Sequence, residues 1–182
     1  DGLTDIFSGV AMGITAENIC KMSNITRMQQ DEFAFASHMK AKAAREKGYF
    51  KEEILPVDIL VKKQKVVFDY DESIRPDTSI ELLSKLKPAF DLINGSVTAG
   101  NSPGINDGAA CLLLASEKAI QEHQLIPLVK IVSYASAGVD PSIMGTGAIP
   151  AAQKALNIAD WNIEDLDLIE LNEAFAAQAI YV

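Results

Sequence analysis

Asp165-Leu166-Asp167-Leu168-Ile169-Glu170-Leu171-Asn172-Glu173-Ala174-Phe175-Ala176-Ala177-Gln178-Ala179 is the stretch that decides the fold. Its first half is dense in Leu and Ile, as a mostly buried strand is. Without an intervening Gly or Pro it passes into an Ala-rich run of helical propensity. The spacing predicts a strand near 167–171 that hands over to a helix at Asn172. Such a junction puts Asn172 and Glu173 at the carboxyl edge of a sheet, where open α/β folds bind their ligands, with Phe175 as an apolar wall beside them. The plainer reading of Asn172 is an N-cap that accepts hydrogen bonds from the first turn of that helix.

Working outward, the rest of the second half repeats this alternation. Gly108 to Ala115 is a continuous apolar run, as expected of a central strand near 109–115 covered on both faces. Ser116 opens a helix that ends near His123, and Leu128 to Ala137 reads as a further strand. Gly145 and Gly147 precede Pro150 at the start of a helix that continues through Ala151 to Ala159. These two glycines suit the cradling of an anion. Their spacing is not Gly-x-Gly-x-x-Gly and no acidic residue follows at the ribose distance, so dinucleotide binding is not indicated. Parallel strands near 109–115, 128–136 and 167–171 are expected to bring Leu112, Ile131 and Ile169 into one apolar layer.

The first half is mostly helical. Ala16 to Met22 forms a short helix ended by Ser23-Asn24. Thr26 and Gln29 make a capping box for a helix running to Gly48, with Phe33, Ala36 and Ala43 on one stripe and Arg27, Glu32, Lys40 and Arg45 toward water. His38 on that helix has no second ligand at metal spacing and reads as a surface or half-buried residue. Strand pieces at 54–57 and 66–68 flank the basic turn Lys62-Lys63-Gln64-Lys65, with Pro56 suited to an edge. Thr78 and Glu81 suggest a second capping box, for a short helix through Ser84. Arg75 is a candidate for a phosphate, set against the ordinary outcome of a solvated or salt-bridged side chain. Gly95 to Gly104 is rich in small residues. It is either a linker or a loop that lets a ligand approach the backbone closely.

At 182 residues and 48% hydrophobic side chains, the sequence has enough apolar surface for one or two folded domains. A net charge of −9 and a pI near 4.7 argue against a protein that tracks nucleic-acid phosphates. No apolar run reaches the length of a membrane span and no charged-then-apolar leader opens the sequence, so a cytoplasmic protein without membrane partners is expected. Cys20 and Cys111 stand far apart in no metal-ligand spacing, which points to buried small side chains and to neither a disulfide nor a metal site. The sequence opens on Asp1 rather than Met and closes inside a helical pattern, and it reads as a piece of a longer chain.

Six stretches then combine. They are Asp1-Gly2-Leu3-Thr4-Asp5; Met12-Gly13-Ile14-Thr15-Ala16-Glu17-Asn18; Val97-Thr98-Ala99-Gly100-Asn101; Asn106-Asp107-Gly108-Ala109-Ala110; Gly138-Val139-Asp140-Pro141 with Met144-Gly145-Thr146-Gly147; and Asn172 through Gln178. Together and in order they resemble the thiolases, most of all acetyl-CoA C-acetyltransferases. The resemblance implies a partial thiolase-like α/β fold: residues 1–104 as a mostly helical loop domain that holds coenzyme A, and 105–182 as an incomplete βαβ segment of the core. It implies acyl transfer between coenzyme A thioesters, with coenzyme A as substrate, no prosthetic group, and a dimeric or tetrameric parent.

Thiolase chemistry uses a Cys nucleophile, a second Cys as acid/base and a His at the thioester oxygen. By resemblance these would lie upstream of Asp1 and downstream of Val182, and Cys20, Cys111, His38 and His123 match none of them. The piece alone is therefore expected to be inactive. Asn172 matches the Asn that holds a water in the oxyanion hole. Met12, Met144 and Phe175 match apolar walls around the acyl group and pantetheine, and Ala174 joins that set. Arg75 matches a residue near the nucleotide end of coenzyme A, Phe90 lies along the same molecule, and Ala99, Gly100 and Ser102 belong to the loop passing pantetheine. Val10-Ala11 replaces a common Tyr-His, and Pro103 stands where a pantetheine-contacting Ser is frequent. The alternative is a non-catalytic coenzyme-A-binding or scaffold relative, and a third is an unrelated α/β binding module.

Overall fold

In the computed structural model, residues 2–182 are described; Asp1, quoted with the first of the six stretches, lies outside them. Helix α1 (Met12–Ser23) ends where Asn24 turns left-handed at φ 57° and returns its N–H to the Cys20 carbonyl. Helix α2 (Arg27–Glu46) opens on the expected capping box. The Gln29 N–H donates to Thr26 Oγ1 at 3.2 Å, and the Thr26 N–H donates to Gln29 Oε1 at 2.8 Å. Gly48, at φ 73°, lets the chain turn away two residues after the last helical one.

Strands β1 (Val57–Val61) and β2 (Gln64–Phe68) pair antiparallel in register Val57↔Phe68 to Val61↔Gln64. Their two-residue turn is Lys62-Lys63, at φ 49° and 68°. This backbone suits the right-handed twist of a hairpin although neither residue is Gly. The expected strand pieces and turn are therefore present, shifted by a few residues. Helix α3 (Ile80–Ser84) is capped by Ser79 and not by Thr78: Ser79 is the extended residue, and its Oγ accepts from the Leu82 N–H at 3.2 Å. Ser116 caps α4 (Glu117–His123) as expected. A 3-10 segment (Pro141–Gly147) runs into α5 (Ala148–Ala159). After a short 3-10 turn (Ile163–Asp165), α6 (Ala176–Tyr181) follows.

The core lies where α1, α6 and the 95–101 loop meet. It contains Ala16, Cys20, Val97 and Ala177, with Ile25, Phe90 and Phe175 packed against it. Helix α1 also packs on the 141–147 segment, and α2 packs on α3 and α6.

Four expectations are corrected. Residues 109–115, 128–136 and 167–171 form no strands; they run outside any ladder, with Leu112, Ile131 and Ile169 at 86%, 61% and 62% exposure and no shared layer. A strand requires a neighbour to pair its N–H and C=O groups, and among the described residues none of these segments has one. Cys111, within the first of them, is exposed for the same reason, whereas Cys20 is buried. The helix after Asn172 begins only at Ala176, because Phe175 is still extended at φ −140°. Asn172 is thus no N-cap. Its carbonyl instead accepts from the Ala174 N–H at 3.0 Å, closing a turn. Finally, the buried residues of α2 are Gln30, Asp31 and Ala34, not the Phe33-Ala36-Ala43 stripe.

Candidate functional site

The buried face of α2 is polar because of what it packs against. Residues 95–101 form a tight loop, closed by the Ala89 N–H donating to the Val97 carbonyl at 2.9 Å and the Asn101 N–H donating to that of Thr98 at 3.3 Å. Asn101, 3% exposed, receives the Thr98 N–H on Oδ1 at 2.8 Å and donates through Nδ2 to Asp31 Oδ1 at 3.0 Å. Asp31 is also held by Arg27 Nε at 2.7 Å, and the same guanidinium donates to the Leu83 carbonyl at 2.5 Å. On the other side of the loop, Glu17 of α1 receives the Ser96 and Val97 backbone N–H groups, each at 2.8 Å. The small-residue stretch is therefore no linker. Buried polar side chains accept the donors that a buried loop must satisfy.

The outer side of this loop lines an open groove of about 780 Å³, bounded by α2, α3, residues 73–78, the 99–104 loop and Glu173. Arg75, Ala99, Gly100 and Ser102 line it together. Gly100 is closely packed, since a Cβ there would stand 2.6 Å from Leu83 Cδ2 and from Leu86 Cδ1 and the ends of both side chains would have to move. The Ser102 hydroxyl is buried without a hydrogen-bond partner. Arg75 is exposed, and its guanidinium makes no ion pair with another described residue. Its backbone N–H donates to His38 Nδ1 at 3.2 Å, which ties residues 73–78 to α2. Burial holds the His38 imidazole below its ordinary pKa and the nearby Arg75 charge acts in the same direction, against a weaker upward pull from Glu173. The ring is accordingly neutral near pH 7, as an acceptor at Nδ1 must be.

The remaining candidates, Met12, Phe90, Met144, Asn172, Ala174 and Phe175, do not line this groove. The Phe90 and Phe175 rings meet edge to face with centroids 6.2 Å apart, a favoured arrangement of aromatic pairs. Gly13, the residue after Met12, sits under Phe90 so closely that a Cβ would fall 2.2 Å from its ring. Met144 is half exposed on the 141–147 segment. Its neighbour Gly145 approaches Gln178 of α6 and Ile19 of α1, at 2.8 and 3.1 Å from where a Cβ would be. The elements carrying Met12, Met144 and Phe175 therefore converge. Asn172 and Glu173 are exposed and Ala174 half-buried on the stretch leading into α6, where Glu173 accepts from the Ser37 hydroxyl of α2 at 2.6 Å.

Sequence reading placed Glu173 at a ligand edge, and it lines the groove; it missed Ser37 and His38 there, and Glu17, Asp31 and Asn101 behind it. The signal available was the presence of Glu17 and Asn101 inside two of the matching stretches. No periodicity marks a buried carboxylate.

The family description "Thiolase, N-terminal domain" matches residues 1–118, and "Thiolase, C-terminal domain" matches residues 125–182. The chain belongs to the thiolase family. Acetyl-CoA acetyltransferase of Rhizobium meliloti (strain 1021) is 53% identical over 182 residues, covering 100% of this chain and 46% of that protein. The enzyme of the same name from Syntrophomonas wolfei is 56% identical over 181 residues, covering 100% of this chain and 45% of that protein. Among solved structures, Bacillus anthracis acetyl-CoA acetyltransferase superposes with TM-score 0.89 at 50% identity, over 98% of this chain and 45% of that one. Human mitochondrial 3-ketoacyl-CoA thiolase superposes with TM-score 0.91 at 44% identity, again over 98% and 45%. This thiolase chain thus spans a little under half the length of the relatives it matches, and its fold is a partial thiolase-like α/β one. None of its described helices is long and apolar enough to cross a membrane.

Proposed function

We propose that this thiolase chain is the middle of an acyltransferase subunit that moves an acetyl group between coenzyme A thioesters, forming or cleaving a carbon–carbon bond. The single observation that carries the reading is the groove, whose lining brings Arg75 together with Ala99, Gly100 and Ser102 in a chain of this family. Residues 1–104 act as the coenzyme A loop domain and 105–182 as part of the core. The exposed Arg75 guanidinium meets the nucleotide phosphates, a task suited to a permanently charged fork of donors. Ala99, Gly100 and Ser102 let pantetheine lie against the backbone. Met12, Phe90, Met144, Ala174 and Phe175 give the acyl end an apolar surround, and Asn172 holds the oxyanion-hole water, a neutral amide that both donates and accepts. The enzyme works in the cytoplasm as a dimer or tetramer, without a prosthetic group.

The nucleophilic and proton-transferring groups are not among these residues. Burial pushes the Cys20 thiol up, away from a reactive thiolate. The 182-residue piece therefore binds but does not turn over. Assay of the full-length protein for thiolysis and condensation, beside this piece, tests the reading. Turnover by the full-length protein alone is expected. A full-length protein that binds coenzyme A without turnover would support the non-catalytic relative, and turnover by the piece would overturn the assignment of the catalytic groups.

A further inference from the structure

We propose that Glu17 is a positioning residue: it sets the shape of the 95–101 loop and through it the seat of the pantetheine arm, a role that rests on the coenzyme A groove proposed above. Glu17 is 2% exposed, and its carboxylate is met by hydrogen-bond donors rather than by a cation. Oε1 receives the Ser96 and Val97 backbone N–H groups, each at 2.8 Å, and Oε2 receives the Ser96 hydroxyl at 3.0 Å. All these donors lie on two consecutive residues, 79 and 80 positions along the chain. The carboxylate therefore acts as a two-oxygen receptor for one peptide corner. A buried carboxylate is retained against its desolvation cost only where its acceptors are filled, as here.

The corner fixes the groove-facing residues next to it. Thr98, fully buried, accepts the Gly100 N–H on Oγ1 at 3.1 Å, and Asn101 binds back to the Ser96 carbonyl at 3.1 Å. Ala99 and Gly100, which line the groove, are thus strung between the Glu17 anchor and the Asn101–Asp31 anchor. Space behind the corner is closed as well. A Cβ on Gly95 would stand 2.3 Å from the Asp91 carbonyl and 2.5 Å from Glu17 Oε1, so the loop has one close-packed seat on α1. Ser96 Oγ also accepts from Gln30 Nε2 at 2.9 Å, which locks the same corner to α2.

Glu17→Gln is the sharpest test, because it keeps the shape and places an NH₂ donor against N–H donors. Coenzyme A and adenosine 3′,5′-bisphosphate, which has the nucleotide end and no pantetheine, serve as probes in calorimetric titration. Loss of one or two of these hydrogen bonds should raise the coenzyme A dissociation constant about tenfold to a hundredfold, and leave the bisphosphate within about twofold. In hydrogen exchange the Ser96 and Val97 amides should speed up while those in the middle of α2 keep their protection. Ser96→Ala, which removes the hydroxyl that donates to Glu17 and accepts from Gln30 and leaves both backbone bonds to Glu17, should give a smaller change of the same pattern; it carries the test should Glu17→Gln not fold. Equal weakening of both probes, or no change in either, overturns the inference and leaves Glu17 a purely structural residue. Wild-type protein that binds neither probe sinks the proposed function and this inference with it, whereas wild-type binding that neither variant alters sinks the inference alone.

Discussion

The 95–101 loop is made of small and polar residues and is buried; the 109–115 run is made of apolar residues and is exposed. Val97 and Thr98 are fully buried and Asn101 is 3% exposed, while Leu112 and Leu113, a short way further on, each stand 86% exposed. Hydropathy alone orders these two stretches the wrong way round. What separates them is where their backbone partners are. The loop has its donors met by Glu17, Asp31 and Asn101, all within the described residues. The run needs a strand on each side and has neither among the described residues, so its side chains have no layer to enter.

The comparison can be broken most directly at Asp31. Asp31→Ala leaves Arg27 without its carboxylate and takes from Asn101 Nδ2 one of its two acceptors, the other being the Ser96 carbonyl; removal of one partner from such a network should cost about 3 kcal/mol of stability. Chemical denaturation followed by the single Trp, Trp161, would not serve if residues 105–182 unfold separately, so the readout is amide exchange across α2 and the loop. Loss confined to a few tenths of a kcal/mol would mean that the network is incidental to the loop's burial.

Gly13→Ala is next in size. The new Cβ meets the Phe90 ring at 2.2 Å. Overpacking of this kind should cost about 1–3 kcal/mol as Phe90 is driven from Phe175. The same variant should weaken coenzyme A binding if Phe90 lies along that ligand. Leu113→Ser in the exposed run is the contrasting change. It should alter the stability of the first region by less than about 0.5 kcal/mol. It should also reduce self-association, because exposed apolar segments with unmet backbone groups favour contact between copies. Sedimentation across a concentration series reads both proteins, and equal association by wild type and variant would remove the run from the contact.

Smallest is a pH effect at the groove. His38 has its pKa lowered from 6.5 in the folded chain, chiefly by burial, so it takes up a proton more readily when residues 73–78 are detached. The stability it contributes is present above about pH 6.5 and is lost as the pH falls through the depressed folded value, where Nδ1 can no longer accept the Arg75 N–H. Amide exchange at Arg75 should therefore rise, relative to its intrinsic rate, on acidification from about pH 7 toward about pH 5. His38→Asn should flatten that dependence, and an unchanged profile would show that the hydrogen bond does not hold the segment.

The same contrast explains what the sequence let one read. The Thr26–Gln29 capping box, the Lys62-Lys63 hairpin turn and the Ser116 cap were legible because each is a signal carried within a few residues. The groove was legible in part: the residues alone offered Arg75 for a phosphate, the Gly95 to Gly104 stretch as a loop of close ligand approach and Glu173 at a ligand edge, resemblance singled out Ala99, Gly100 and Ser102, and His38 was passed over. The polar face of α2 was not legible at all. Periodicity puts the buried stripe of α2 at Phe33, Ala36 and Ala43 and leaves Gln30 and Asp31 off it, and their partners lie 66 and 70 positions away at Ser96 and Asn101. The strands expected at 109–115, 128–136 and 167–171 failed for the converse reason: composition reports that a segment suits a sheet, not that a partner strand is beside it.

The most direct test of the account is calorimetric titration of coenzyme A into the 182-residue chain at low and high salt, beside Arg75→Ala. The account predicts weak binding that falls as salt rises and falls again in the variant, because an exposed guanidinium acting on phosphates is screened by ions. Binding indifferent to both salt and the substitution, or no binding at all, would contradict a coenzyme A site in this groove.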